Sequence, residues 1–215
     1  ENIGLKYEHD IVILLPFLQN IRRNLVEARE AVDARTGAKV FRPKPRYELA
    51  GGNLVLRNVP VPKDVSAATL QKNGGTDAPY SALQAAKARL SALPGSTALK
   101  KVLYALVPWE PFPEYRNPRG REWQLMAALI LRFKELSGNR PLVLAPTFYA
   151  NYVRFRMARN YWHRCAELGA TPGIHPVDLL PQFRNFGEGA VRCFQEPYDM
   201  HFSAYGNLVL ADALQ

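Results

Sequence analysis

A mainly parallel α/β sheet covered by helices is the fold class this sequence predicts, on three observations. Ile11-Val-Ile-Leu-Leu15 and Pro141-Leu-Val-Leu-Ala-Pro146 are short continuous apolar runs, the texture of parallel strands buried on both faces. Apolar residues recur at helical spacing between and after such runs, most clearly from Arg121 to Leu136. Strand, helix, strand order with helix-length separations then calls for crossover connections and parallel pairing. With 215 residues, 47% of them apolar, the chain can bury the core of one domain, so residues 1–215 are expected to form a single unit.

Ile11–Leu15 is expected as a central strand of that sheet, ended by Pro16. From Gln19 to about Arg35, Ile21, Leu25, Ala28 and Val32 fall at helical spacing among charged residues, which predicts a helix. The pieces on either side of Ala50-Gly-Gly-Asn53 are β-rich and predict a hairpin. Residues 63–78 read as an exposed loop, followed by helices over about 78–93 and 96–106 split at Pro94-Gly95, so that about 41–118 forms an inserted region. The Arg121 helix should stop at Ser137-Gly138-Asn139. Pro141–Pro146 leads into a basic, aromatic helix running to about Leu168 and closed by Gly169. Ile174–Leu180 supplies another strand end, and Ser203 caps a final helix to Leu214.

The 28 basic residues exceed the 19 acidic ones, a net charge of +9 that suits a polyanion or an acidic surface. The basic residues are scattered from Arg22 to Arg192, however, so a solvated surface is favoured over nucleic-acid recognition. No apolar run approaches the roughly 18–20 residues that span a bilayer. Cys165 and Cys193 lack metal-ligand spacing, so no metal is expected; they are two buried thiols or one disulfide. The chain opens on Glu1 and reaches its first strand within ten residues without a secretion signal, so a missing upstream segment is expected.

Of His9, His163, His175 and His201, only His201 has a carboxylate two positions away, Asp199, in Pro197-Tyr-Asp-Met-His-Phe-Ser-Ala-Tyr-Gly-Asn207. Such a carboxylate can hold the imidazole tautomer and stabilise the imidazolium formed on proton transfer. The competing reading is a turn aspartate beside a satisfied histidine. Asn20 follows the first strand, at the carboxyl rim where open parallel sheets bind ligands, and can donate to an oxyanion or cap the next helix. Asp178 reads as turn chemistry, and Tyr149, Tyr152, Phe155 and Trp162 as packing.

Leu5-Lys-Tyr-Glu-His-Asp-Ile-Val-Ile-Leu-Leu-Pro-Phe-Leu-Gln-Asn20 and Asp199-Met-His-Phe-Ser-Ala-Tyr-Gly-Asn207 resemble the third and fifth blocks of the SGNH hydrolases, the GDSL-type esterase/lipase family. The segment from Arg42 through Pro62 is similar to an insertion seen in some bacterial members, whereas most of 63–140 is not specific to the family. The resemblance implies a three-layer α/β/α fold and a serine esterase acting on acyl esters, carbohydrate O-acyl groups among them, without cofactor or metal. It makes His201 the base, Asp199 its partner and Asn20 an oxyanion donor. Two departures stand out: Leu18-Gln-Asn20-Ile21 keeps only the Asn of the family's Gly-x-Asn-Asp, and no Gly-Asp-Ser occurs in the chain. Ser66, Ser81, Ser91, Ser96, Ser137 and Ser203 are not nominated. The nucleophile is expected on an upstream segment or a companion chain. The alternatives are an O-acyltransferase on the same scaffold, or a noncatalytic module binding a glycan or anionic polymer through loops such as Trp109–Arg121.

Overall fold

The computed structural model describes residues 8–61, 102, 106–195 and 201–215. The expected loop at 63–78 and the helix at 78–93 lie outside the described residues, as does nearly all of the helix at 96–106. In chain order the elements are β1 (Val12–Leu14), α1 (Asn20–Arg23), β2 (Ala28–Val32), β3 (Lys39–Pro43), β4 (Arg46–Ala50), β5 (Asn53–Arg57), α2 (Arg121–Ser137), β6 (Leu142–Leu144), α3 (Ala150–Arg154), α4 (Asn160–Glu167), β7 (Ile174–Pro176), α5 (Leu180–Arg184) and α6 (Ala204–Ala213). They divide between two compact units, one drawn from residues 1–18, 97–118 and 130–215, the other from 19–96 and 119–129.

The first unit is α/β. Its sheet is parallel, in the order β1-β6-β7, with Val12, Ile13 and Leu14 opposite Leu142, Val143 and Leu144. Leu142, Leu144 and Ile174 are buried on one face, while Ile13 on the other is 51% exposed, flanked by the exposed Ile11 and Leu15. β1 is therefore an edge strand among the described residues, and β6 is the middle strand, contrary to the expectation that Ile11–Leu15 is central and doubly buried. A continuous apolar run records what could be buried; the neighbours that would bury it are not local in sequence.

Helix α2 ends where its stop signal lies. Gly138 takes φ +60°, its N–H bonds the Glu135 carbonyl, and the Lys134 ammonium bonds the Gly138 carbonyl at 2.6 Å. The single basic helix expected before Leu168 is instead two, α3 and α4. Between them Met157 makes a parallel bridge to Trp109, and Ala158 N–H bonds the Trp109 carbonyl at 2.8 Å, which holds the chain extended. Both cysteines are buried free thiols; burial pushes Cys165 up to about 12, so it stays neutral and packs as a small apolar group.

The second unit is built on hairpins. β4 and β5 pair from Arg46↔Arg57 to Ala50↔Asn53, and Gly51 and Gly52 take φ +57° and +82°, the two positive angles that a two-residue type I′ turn requires. The helix expected over Gln19–Arg35 is not formed. Only Asn20–Arg23 is helical, and Ala28–Val32 is a strand antiparallel to β3. Asp33 decides this locally: its Oδ1 accepts from Arg35 N–H, Thr36 N–H and Thr36 Oγ1, and Gly37 takes φ +68°, closing a turn at the point a helix would have to continue. Within this strand Ala28 is buried, while Val32 at its end, beside the turn, is 63% exposed.

Candidate functional site at the carboxyl rim of the parallel sheet

The carboxyl ends of β1 and β6 stay in register beyond the strands. Ala145 N–H bonds the Leu14 carbonyl, Thr147 N–H the Pro16 carbonyl and Leu18 N–H the Thr147 carbonyl, at 3.0, 3.0 and 3.1 Å. This continuation brings the Phe17 ring to 4.6 Å from Tyr149 and 6.4 Å from the His201 imidazole, centroid to centroid. The residue after β1, the residue after β6 and the final-loop histidine thus meet on one rim, as expected of parallel strands followed by a returning chain.

His201 is exposed, and its backbone is fixed from both sides. Gln195 N–H bonds the His201 carbonyl at 3.0 Å, and Phe194 bridges Phe202 in antiparallel fashion. Phe202 sits in an aromatic cluster, 4.8 Å from Phe183, 5.4 Å from Phe194 and 6.3 Å from Phe148. Directly after it, Ser203 caps α6 as expected. Its Oγ accepts from Gly206 N–H at 3.1 Å and donates to the Arg192 carbonyl, and its own N–H bonds the Cys193 carbonyl. An apolar anchor and a capped helix thus hold an exposed imidazole by its chain neighbours, leaving the ring at the rim.

Asp199 lies outside the described residues. Asn20 is the first residue of α1 and belongs to the second unit; the N-cap is Gln19, without a side-chain cap bond, so Asn20 does not serve as the cap. Neither described serine at a structural position offers a nucleophile. Ser203 is the cap, and Ser137 is buried with its hydroxyl on the Phe133 carbonyl at 2.7 Å. Asp178 does turn chemistry, accepting from Leu180 N–H and pairing with Arg159.

Sequence reasoning missed a buried polar cluster behind the rim. Glu110, read as part of an aromatic loop, is 7% exposed; it accepts from Asn160 Nδ2 at 2.5 Å and from Phe112 N–H. Phe112 and Tyr115 of the same loop are core residues, the latter donating to the Leu18 carbonyl at 3.1 Å, so these aromatics serve packing rather than an exposed binding platform. Burial raises the Glu110 carboxyl and the phenols of Tyr115, Tyr152 and Tyr161, keeping the hydroxyls neutral. The only sequence signal was an acid set directly between Trp109 and Pro111 in a stretch rich in proline and aromatic residues.

Glu110 gives a pH prediction. Its folded pKa lies above the ordinary 4.5, so the folded chain binds its proton more tightly than the unfolded one. The resulting stability is complete below that ordinary value and is lost as pH rises through the raised one. Glu110→Gln cannot ionise and should show a flatter decline, so the melting-temperature difference, variant minus wild type, should grow from acid toward neutral pH. A difference independent of pH would show that folding leaves the Glu110 pKa unchanged.

No helix among the described residues is long and apolar enough to cross a membrane. Comparisons with protein-family models, with curated proteins and with solved structures find no match to this chain.

Proposed function

We propose that this chain supplies the proton-transfer half of an SGNH-type acyl-ester hydrolase built as a three-layer α/β/α domain. His201 acts as the base, Asp199 orients it, and Asn20 donates to the oxyanion. A serine from a Gly-Asp-Ser block outside these 215 residues attacks the ester carbonyl. Its proton passes to the imidazole, the tetrahedral oxyanion is held by the Asn amide and backbone N–H groups, and the imidazolium protonates the departing alcohol. Water then attacks the acyl carbonyl, giving its proton to the same imidazole, and the imidazolium returns that proton to the serine oxygen as the acyl–serine bond breaks and the acid leaves. The observation that supports this reading is the 6.4 Å approach of the His201 ring to Phe17, which follows β1 on the carboxyl side of the parallel sheet.

The test uses the full natural polypeptide on a short-chain aryl ester, with a serine-directed phosphonate. The expected result is ester turnover abolished by the phosphonate, with the adduct on a serine other than Ser137 or Ser203. A polypeptide that neither turns over the ester nor reacts with the phosphonate overturns the reading.

A further inference from the structure

The hairpin of β2 and β3 carries a charge arrangement that the ester chemistry does not use. Asp33 N–H bonds the Ala38 carbonyl and Lys44 N–H bonds the Glu27 carbonyl, each at 2.9 Å. Alternation between these two rungs makes Arg29↔Arg42 a hydrogen-bonded pair and leaves Pro43, which has no N–H, at a rung where none is needed. Arg29 and Arg42 are both exposed and directly opposite, with Cα atoms about 5.5 Å apart as such rungs require. Like charges placed so destabilise a hairpin.

Arg42 acts electrostatically on the Asp33 carboxylate but is not paired with it. Neither arginine forms an ion pair among the described residues. On the same face Glu27 is taken by Arg46 at 2.5 Å, and Asp33, two rungs away, spends Oδ1 on its own turn. Ala31 and Val40 fill the next rung on that face on one side; on the other, Lys44 lies opposite Glu27 and turns its ammonium to the Arg23 carbonyl at 2.6 Å, so the two cations are not continued as a track. A strand of nucleic acid would need cations continued along the face and stacking rings between them. Two guanidiniums carried on opposite residues of one rung can reach one tetrahedral oxyanion, each offering a fork of N–H donors.

We propose that Arg29 and Arg42 form a two-pronged site for a single phosphate or sulfate group, free in solution or carried as an ester on a saccharide. The site is independent of the ester-hydrolysing assignment, because neither arginine belongs to that machinery and the readout is binding.

The test is thermal unfolding titrated with inorganic phosphate, inorganic sulfate, a sulfated heparin oligosaccharide and oligothymidylate, at ionic strength fixed with chloride. Saturable stabilisation by phosphate or sulfate is expected. Arg29→Gln and Arg42→Gln should each weaken it about tenfold, while Arg35→Gln, the same charge loss in the exposed turn, should change it less than about twofold. Heparin binding tighter than sulfate assigns the ester-borne source; equal affinity per sulfate assigns the free ion. Without anion, the double variant should melt no lower than wild type, since it removes a like-charge rung. Equal losses in all three single variants, preference for oligothymidylate, or a lower-melting double variant would overturn the site.

Discussion

Gly206→Ala is expected to destabilise the chain by about 1–3 kcal/mol, against the sign that helix propensity dictates. In an open helix, replacing Gly by Ala stabilises by about 0.8–1.0 kcal/mol. At Gly206 an added Cβ falls inside the van der Waals envelope of the Cys193 carbonyl oxygen, 2.9 Å from its carbon and 3.1 Å from its Cα. Those atoms are backbone, tied to Ser203 through the Ser203 N–H to Cys193 carbonyl bond, and cannot rotate away. The methyl group must lift α6 from the 3₁₀ turn that ends at Cys193, and with it the cap that follows His201. Denaturant unfolding gives the sign directly: a lower midpoint at unchanged slope is expected, and a stabilised variant would disprove the close approach. Ser203→Ala is the graded control, losing about 1 kcal/mol with the cap bond alone.

The second large effect concerns the proposed chemistry. In the full polypeptide, His201→Ala should lower ester turnover by about 10²–10⁴-fold, because proton transfer is lost while the exposed ring leaves little packing behind. Asp199→Asn should approach the same loss through the wrong tautomer, and Asn20→Ala should cost about 10²–10³-fold in kcat through loss of an oxyanion donor. The folds of all three should stay intact, since His201 and Asn20 are not core residues and Asp199→Asn is isosteric; circular dichroism checks this. A His201→Ala enzyme at full rate ends the assignment. Retained rate in Asn20→Ala alone removes only the amide from the oxyanion site.

Features written in adjacent residues were legible in the sequence. The Ala50-Gly-Gly-Asn53 hairpin, the stop of α2 at Gly138 and the Ser203 cap each follow from backbone demands met within a few positions. The meeting of the β1 loop, the β6 loop and His201 followed from topology alone. What escaped depends on partners far away in sequence. Ile21, Leu25, Ala28 and Val32 satisfy a helical period, but the Asp33 turn and the pairing it permits with β3 make Ala28–Val32 a strand. The extended break at Met157 exists because Trp109 pairs with it. Glu110 is buried because Asn160 and Phe112 satisfy its oxygens, a fact its own neighbours in sequence do not announce.

The uncovered apolar residues Ile11, Ile13 and Leu15 and the net charge of +9 together set how this chain behaves in concentrated solution. At low ionic strength mutual repulsion keeps copies apart. Added salt removes that repulsion within a Debye length of about 10 Å at 0.1 M, and strongly hydrated anions such as sulfate further drive aliphatic surfaces together. Light scattering should therefore rise with ammonium sulfate sooner than with sodium chloride of equal ionic strength, and Ile13→Lys should delay the rise.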